Sequence, residues 1–186
     1  MNSMLFPAST GTITLAIAPH AGISLVDEVI AHLALSNSVR VFDCGNRTNV
    51  FPIAKIIRSL TTDVDNALAA IQVSRAFTCY QVTAMLHQEP ALKGTPIIVV
   101  DLLSTFLDED VSLTESHRLL AQSITSLQRL CKTSPILITI NPLLSLSAER
   151  ISLLNALAQI AQITYRFEET VPVLPQQQEM LWPPEI

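Results

Sequence analysis

The chain has 186 residues, which at roughly 150 residues per domain favours one domain over two. Hydrophobic residues make up 49% of it and charged residues 15%, against about 25% charged residues in a typical soluble domain. The high hydrophobicity excludes intrinsic disorder, and the net charge of −5 argues against a strongly basic nucleic-acid module. With so little polar cover, the chain is expected to bury part of its surface against a protein partner.

Short β-rich runs alternate with longer amphipathic patterns along the chain. The predicted strands are residues 12–18, 39–43, 71–75, 96–101, 135–140 and 163–167. The predicted helices are residues 24–35, 51–60, 79–87, 113–132 and 148–160. Ser24 stands at the expected N-cap of the first helix, with Asp27 three residues later as in a capping box.

This alternation predicts an α/β fold, a three-layer αβα sandwich around a mainly parallel sheet. Residues 1–170 are predicted to form one core domain, and residues 171–186, which contain four prolines, an extended tail. Ligands of such sheets bind at the carboxyl ends of the strands. The positions of interest are therefore residues 19–24, 43–46, 101–105 and 141–142.

These segments resemble the core ATPase domain of the RecA family, especially the eukaryotic and archaeal recombinases and their non-catalytic paralogues. The resemblance covers about residues 11–167. IIVVD followed by LLSTFL resembles the Walker B strand, VRVFDCGN the strand that ends near the catalytic glutamate, and ILITINP the sensor strand. IQVSRAFTCYQ is similar to the third-strand segment of that family. The resemblance implies a RecA-like sheet of the P-loop NTPase type, with the sensor strand between the first strand and the Walker B strand.

The segment that matches the phosphate-binding loop lacks the residues that bind phosphate. That loop needs GxxxxGK followed by Ser or Thr, because glycines let backbone N–H groups approach the phosphates and the lysine neutralises their charge. Gly22 and Ser24 match its second half, but Ile23 takes the place of the lysine. The first glycine is missing, with Ala18 one residue too close, and Pro19 removes a backbone donor.

The other matching positions are also changed. Gly45 takes the place of the glutamate that activates water, and Pro142, after Asn141, that of the glutamine that senses the γ-phosphate. Asp101 is kept, and we interpret it as a relic that caps the neighbouring loop rather than as a metal ligand. Loss of the lysine is expected to weaken nucleotide binding by roughly two decades or more. Loss of the base lowers the rate by a further factor of about 10²–10⁴, so we predict a pseudo-ATPase without a cofactor.

Basic residues offer a second class of site. A candidate DNA-binding group lies between the second strand and the second helix and comprises Arg40, Arg47, Lys55 and Arg58. In the recombinases, the loops after the Walker B and sensor strands contact DNA. Here the first of these loops, residues 107–110, is acidic, and the second, residues 143–147, is short and uncharged. Any DNA contact is therefore expected to be weak.

Two residues of the tail are candidate partner-binding residues, Leu181 and Trp182, because aromatic anchors dominate interface energies. Packing of these two side chains back onto the domain is an equally good interpretation. The predicted partner is a protein in a homo- or hetero-oligomer, such as a member of the RecA family.

Three cysteines at unrelated spacings, Cys44, Cys79 and Cys131, are expected to be buried thiols. The four histidines show no metal-binding spacing, so no metal site is predicted. The first basic residue is Arg40, and charged residues interrupt the apolar stretch over 13–30. We therefore expect neither a signal sequence nor a membrane span, and a cytoplasmic location.

The function predicted from the sequence is that of a non-catalytic RecA-like protein, an interaction or regulatory subunit in DNA recombination or repair. One alternative is a divergent nucleotide-binding ATPase, which would respond to Asp101→Ala. Another is an accessory DNA-binding protein, and a third is a regulator like the SulA-type cell-division inhibitors.

Overall fold

The computed structural model describes residues 9–108, 110–142 and 148–168. They form a three-layer αβα sandwich around an all-parallel sheet, which confirms the predicted fold class. The strands are β1 Ile13–Ile17, β2 Val39–Asp43, β3 Ile71–Arg75, β4 Ile97–Val100, β5 Ile136–Ile140 and β6 Ile163–Arg166. The helices are α1 Ile23–Ala34, α2 Val50–Leu60, α3 Val64–Ala69, α4 Cys79–Gln88, α5 Leu113–Cys131 and α6 Ala148–Ala158. The sequence did not predict α3, which is too short to carry a helical pattern.

The strand order is β3-β2-β4-β5-β1-β6, with every described pair parallel. The candidate sensor strand β5 therefore lies between β1 and β4, as the resemblance implied. Every residue of β1, β4 and β5 is buried, since helices cover both faces of the sheet centre. The edge strands β3 and β6 are partly exposed.

Each face of the sheet has its own apolar cluster. One cluster joins Phe42 of β2 to Leu86 of α4 and Leu127 of α5. The other joins Val41, the neighbour of Phe42, to Ile30 of α1 and Ile57 of α2. Alternate residues of a strand face opposite sides, so α1 and α2 lie on one face and α4 and α5 on the other. All three cysteines are buried free thiols, as predicted.

The predicted start of the first helix is wrong. The N-cap of α1 is Gly22, with φ +62°, and no side chain caps this end of the helix. Ser24 is the second residue of α1 and is exposed. A tight turn over Pro19–Gly22 brings the chain into the helix two residues earlier than the capping pattern indicated.

No helix in the part of the chain that the structure describes has the length and apolar character needed to cross a bilayer.

Candidate functional site

The four segments singled out in the sequence meet at one edge of the sheet. Backbone hydrogen bonds continue the sheet past the strand ends, from Ala18 N to Ile140 O at 3.1 Å and from Cys44 N to Val100 O at 2.9 Å. The chain after β4 is joined to β5 by Leu102 N, which donates to Thr139 O at 3.1 Å. The carboxyl ends of β1, β2, β4 and β5 therefore form one site, where such sheets bind ligands.

The turn between β1 and α1 is short and left-handed. His20, Ala21 and Gly22 follow one another with φ of +52°, +55° and +62°. A non-glycine residue pays about 1–2 kcal/mol for this conformation. A Cβ on Gly22 would lie 3.1 Å from the Cβ of Ala18, so both φ and the tight space favour glycine at this position.

The side chain at the position matched to the lysine is apolar. Ile23 is partly buried and packs against the apolar cluster of α1 and α2. Behind the turn lies a cavity of about 10 Å³ lined by apolar residues such as Ala16, Ala18 and Leu25. A single water needs about as much space, so the cavity is far too small for a phosphate group.

Asp101, the retained acid, is buried at the end of β4 with φ +52°. Its Oδ2 accepts a hydrogen bond from Arg47 Nε at 2.6 Å, and its Oδ1 accepts one from Asn141 N at 3.2 Å. Its own backbone N donates to Thr139 Oγ1 at 3.2 Å. Both carboxylate oxygens are therefore engaged within the chain, and Asp101 ties the loop after β5 to β4.

A second acid, Asp43, lies at the end of the neighbouring strand and is fully buried. Its Oδ1 accepts a hydrogen bond from Arg47 N at 2.9 Å. Its Oδ2 accepts two, from Thr48 N at 3.0 Å and from Arg75 Nε at 3.1 Å. Arg75 also donates to Thr48 O at 2.9 Å, which joins the end of β3 to the loop before α2.

Two acids and two guanidinium groups thus alternate across the ends of β3, β2 and β4. We call these four residues the Asp–Arg cluster: Asp43, Arg47, Arg75 and Asp101. Their formal charges cancel within the cluster, and the pairs Arg47–Asp101 and Arg75–Asp43 are both half-buried. Sequence reasoning placed Asp43 in a segment of interest without assigning it a role, and it missed Arg75. The available signal was an acid at the end of a buried strand, in register with an arginine on the next strand.

Gly45 lies against Asp101. A Cβ at position 45 would come within 2.7 Å of both the Cβ and the Oδ2 of Asp101. Real Cβ atoms essentially never approach so closely, so the side chain of Asp101 occupies the space that any residue larger than glycine would need. The glutamate that the resemblance would place at position 45 has no room here while Asp101 keeps its place.

Burial, and then the charges of Asp43 and Asp101, raise the pKa of the Cys44 thiol above its usual value. A thiol that stays protonated is a poor nucleophile and a poor metal ligand. Cys44 is therefore inert at this edge.

The end of β5 contributes little chemistry. Asn141 takes part through its backbone N–H, and Pro142 has no N–H to offer a ligand. Glu109, within the acidic loop, and residues 143–147 lie outside the described residues, as do Leu181 and Trp182.

The four basic residues of the candidate DNA-binding group do not form one patch. Arg40 makes a two-pronged ion pair with Glu89, at 2.8 and 2.6 Å, on the sheet face that α4 covers. Arg47 is held by Asp101. Lys55 and Arg58 are exposed on α2, on the opposite face from Arg40, and neither has an ion-pair partner among the described residues.

The described residues do not fit a nucleotide with Mg²⁺. The retained acid is neutralised by Arg47, an apolar side chain stands where the lysine would bind phosphate, and Gly45 has no room for a base. Nor do the described parts of the chain hold a group of three or more His, Cys, Asp or Glu side chains placed to bind a metal ion. No family model matches the chain, and no curated protein is significantly similar to it.

Proposed function

We propose that this chain is a non-catalytic protein with a RecA-like core that acts in the cytoplasm as an interaction or regulatory subunit, in DNA recombination or repair. The process is the one that the resemblance implies. The observation that carries the non-catalytic part is the ion pair between Arg47 Nε and Asp101 Oδ2 at 2.6 Å.

That ion pair supports a non-catalytic role, because it engages the carboxylate of Asp101, which a metal ion would need as a ligand. A hydrogen bond between charged groups contributes about 1.5–3 kcal/mol. A Mg²⁺ ion at Asp101 would have to break this bond and leave the Arg47 guanidinium without its partner. The ion would also find no lysine and no base nearby to hold and use a triphosphate.

Exposed apolar side chains support a role in interaction. Two pairs of them lie at the carboxyl edge near β2 and β3: Val50 and Phe51 (84% exposed) at the start of α2, and Phe77 (65% exposed) and Tyr80 at the start of α4. Large apolar groups that remain exposed together commonly mark the place where a partner binds. Aromatic residues are also the usual anchors of protein interfaces.

The first test is thermal unfolding of the purified protein with and without millimolar ATP and Mg²⁺. We expect no change in Tm. A ligand present at 100 times its Kd would add about 2.7 kcal/mol, which raises the Tm of a chain of this size by roughly 5–10 °C. A shift of that size would overturn the proposal. Arg75→Ala, which should lower the Tm by removing a partner of Asp43, serves as the control that the assay responds.

The second test concerns the partner. Affinity purification from the native host, followed by sizing of the complex, should return a stoichiometric assembly larger than one chain. A monomer that brings no protein with it would contradict the interaction role, whatever the outcome with ATP.

A further inference from the structure

One side of α2 carries an aromatic ring and two cations in a row. Phe51, Lys55 and Arg58 stand at positions i, i+4 and i+7 of the helix and therefore share one face. All three are exposed, and among the described residues neither cation has an ion-pair partner. We call these three residues the α2 stripe. No acidic residue occurs in α2 itself, so this helix carries two cations and no anion of its own.

The segment that follows β6 has the complementary chemistry. Residues 169–186 contain three glutamates and no lysine or arginine. Their apolar residues include Leu181 and Trp182, which directly follow Glu179 and Met180. An acidic and apolar segment of this kind suits a surface that presents an aromatic ring beside two cations.

The chain leaves the sheet on the face that carries the stripe. Phe167 packs against the apolar cluster of α1 and α2, and its N donates to Ile17 O at 2.9 Å at the carboxyl edge. Phe51 lies in the first turn of α2, at this same edge. The segment therefore starts on the right face and at the right end of the sheet.

The segment is also long enough to reach α2 from the end of β6. Strand β6 lies four strands away from β2, and four spacings of about 4.8 Å make roughly 19 Å. The eleven residue-to-residue steps from 168 to 179 span up to about 36 Å when extended. No rearrangement of the domain is needed for Glu179 to reach α2.

We propose that residues 169–186 dock along the α2 stripe of the same chain, with Leu181 and Trp182 beside Phe51 and Glu179 beside Lys55 and Arg58. Single-stranded DNA, the competing occupant, would gain its binding energy from the two cations of the stripe, Lys55 and Arg58. Two free cations provide a weak site compared with the 6–10 phosphate contacts of typical DNA-binding proteins. The peptide uses the aromatic ring as well, and it is tethered to the site at high effective concentration. The docking goes beyond the proposed function: it would cover Phe51, one of the exposed side chains cited there, but neither Phe77 nor Tyr80, which lie outside the stripe. Failure of the docking would therefore leave the proposed function standing.

Trp182 is the single tryptophan of the chain, so intrinsic fluorescence of the full-length protein reports on the docking directly. We expect a blue-shifted emission maximum and protection from acrylamide quenching. Phe51→Ala and the pair Lys55→Glu with Arg58→Glu should each lower the docking equilibrium constant by about tenfold or more. Emission should then move to that of exposed indole, with unchanged far-ultraviolet circular dichroism.

The matched charge control is Lys93→Glu with Lys132→Glu, two exposed lysines in the loops that lead into β4 and β5 at the opposite edge. These changes should leave the fluorescence as it is. Phe77→Ala is the aromatic control, since Phe77 is exposed but lies outside the stripe.

Four results would overturn the proposal. The first is an exposed indole in the unaltered protein, and the second is a shielded indole that the stripe variants do not change. The third is shielding that grows with protein concentration, which would indicate docking between copies. The fourth is salt-dependent binding of an oligonucleotide that the charge-reversed pair loses while Trp182 stays unaffected, which would assign the cations to nucleic acid.

Discussion

The turn after β1 and the ends of β2 and β4 are neighbouring parts of one sheet edge, but they differ in why they offer few free polar groups to a ligand. At the first, the one polar side chain between Ile17 and Ile23 is that of exposed His20, and the space behind the turn is apolar. At the second, the acids remain but two guanidinium groups satisfy them. A sheet edge can therefore lack free ligand-binding groups either because its side chains are apolar or because its charged side chains pair with one another. Only in the second case do buried charges remain, and the fold must then keep an oppositely charged partner beside each of them.

The largest expected effect on stability comes from removing an acid of the Asp–Arg cluster. Asp43→Ala leaves Arg47 N, Thr48 N and the Arg75 guanidinium without their shared acceptor. We expect a loss of about 3–4 kcal/mol in the free energy of unfolding, since an uncompensated buried polar group or charge is costly. Urea unfolding measures it. Asp43→Asn keeps an acceptor oxygen and should cost clearly less, and equal losses for the two variants would contradict this account.

The contact between Gly45 and Asp101 gives the next effect. Gly45→Ala should destabilise the protein by about 2 kcal/mol, because overpacking of a close contact typically costs 1–3 kcal/mol. Asp101→Gly removes the atoms that the new Cβ would meet and suits the positive φ at this position. In the Asp101→Gly background, Gly45→Ala should therefore cost almost nothing. A double-mutant cycle with additive losses would rule out the steric explanation.

Asp27 sharpens the comparison, because it is a buried acid near the β1 turn that lacks a guanidinium partner. Its Oδ1 has no hydrogen-bond partner among the described residues, and burial raises the pKa of the Asp27 carboxyl to about 6. The folded state therefore binds more protons than the unfolded state between about pH 4 and 6, so this group lowers stability as the pH rises through that window.

Asp27→Asn removes this titration. It should raise the free energy of unfolding at pH 7 by about 1–2 kcal/mol, somewhat less than the pKa shift alone would give, because the amide stays buried. At pH 4 the two proteins should be almost equally stable. Unfolding measured across pH 4–7 tests this, and a variant that keeps the slope of the unaltered protein would contradict it.

The smallest effect is expected from putting the missing lysine back. Ile23→Lys should cost only about 1 kcal/mol, because a lysine stem can cover part of the same apolar surface while its amine reaches water. We expect no gain of ATP affinity, since Arg47 still neutralises Asp101 and position 45 still lacks a base. Isothermal titration with Mg²⁺ and ATP measures it. Millimolar or tighter binding by this variant would mean that the lysine alone had been limiting.

Helices and strands with strong patterns were predictable, and single-residue geometry was not. Short β-rich runs, alternating or continuously apolar, located all six described strands to within about two residues, because burial in a sheet constrains the residue type at every position of a strand. The capping pattern at Ser24 was misleading, because three consecutive left-handed residues allow the helix to begin earlier than its preferred cap. Helix α3 was missed, because six residues are too few to show a periodicity.

The sequence by itself determined the parallel αβα architecture and the absence of a lysine, a glutamate and a glutamine from the matching positions, because these depend on residue type and order along the chain. Three features were decided by the tertiary structure alone. Arg47 pairs with Asp101, and the side chain of Asp101, 56 residues away in the chain, leaves room only for glycine at position 45. The sheet separates Arg40 from Lys55 and Arg58. Pairings of this kind follow from strand order and register, which bring distant residues within hydrogen-bonding distance and leave no local pattern in the chain.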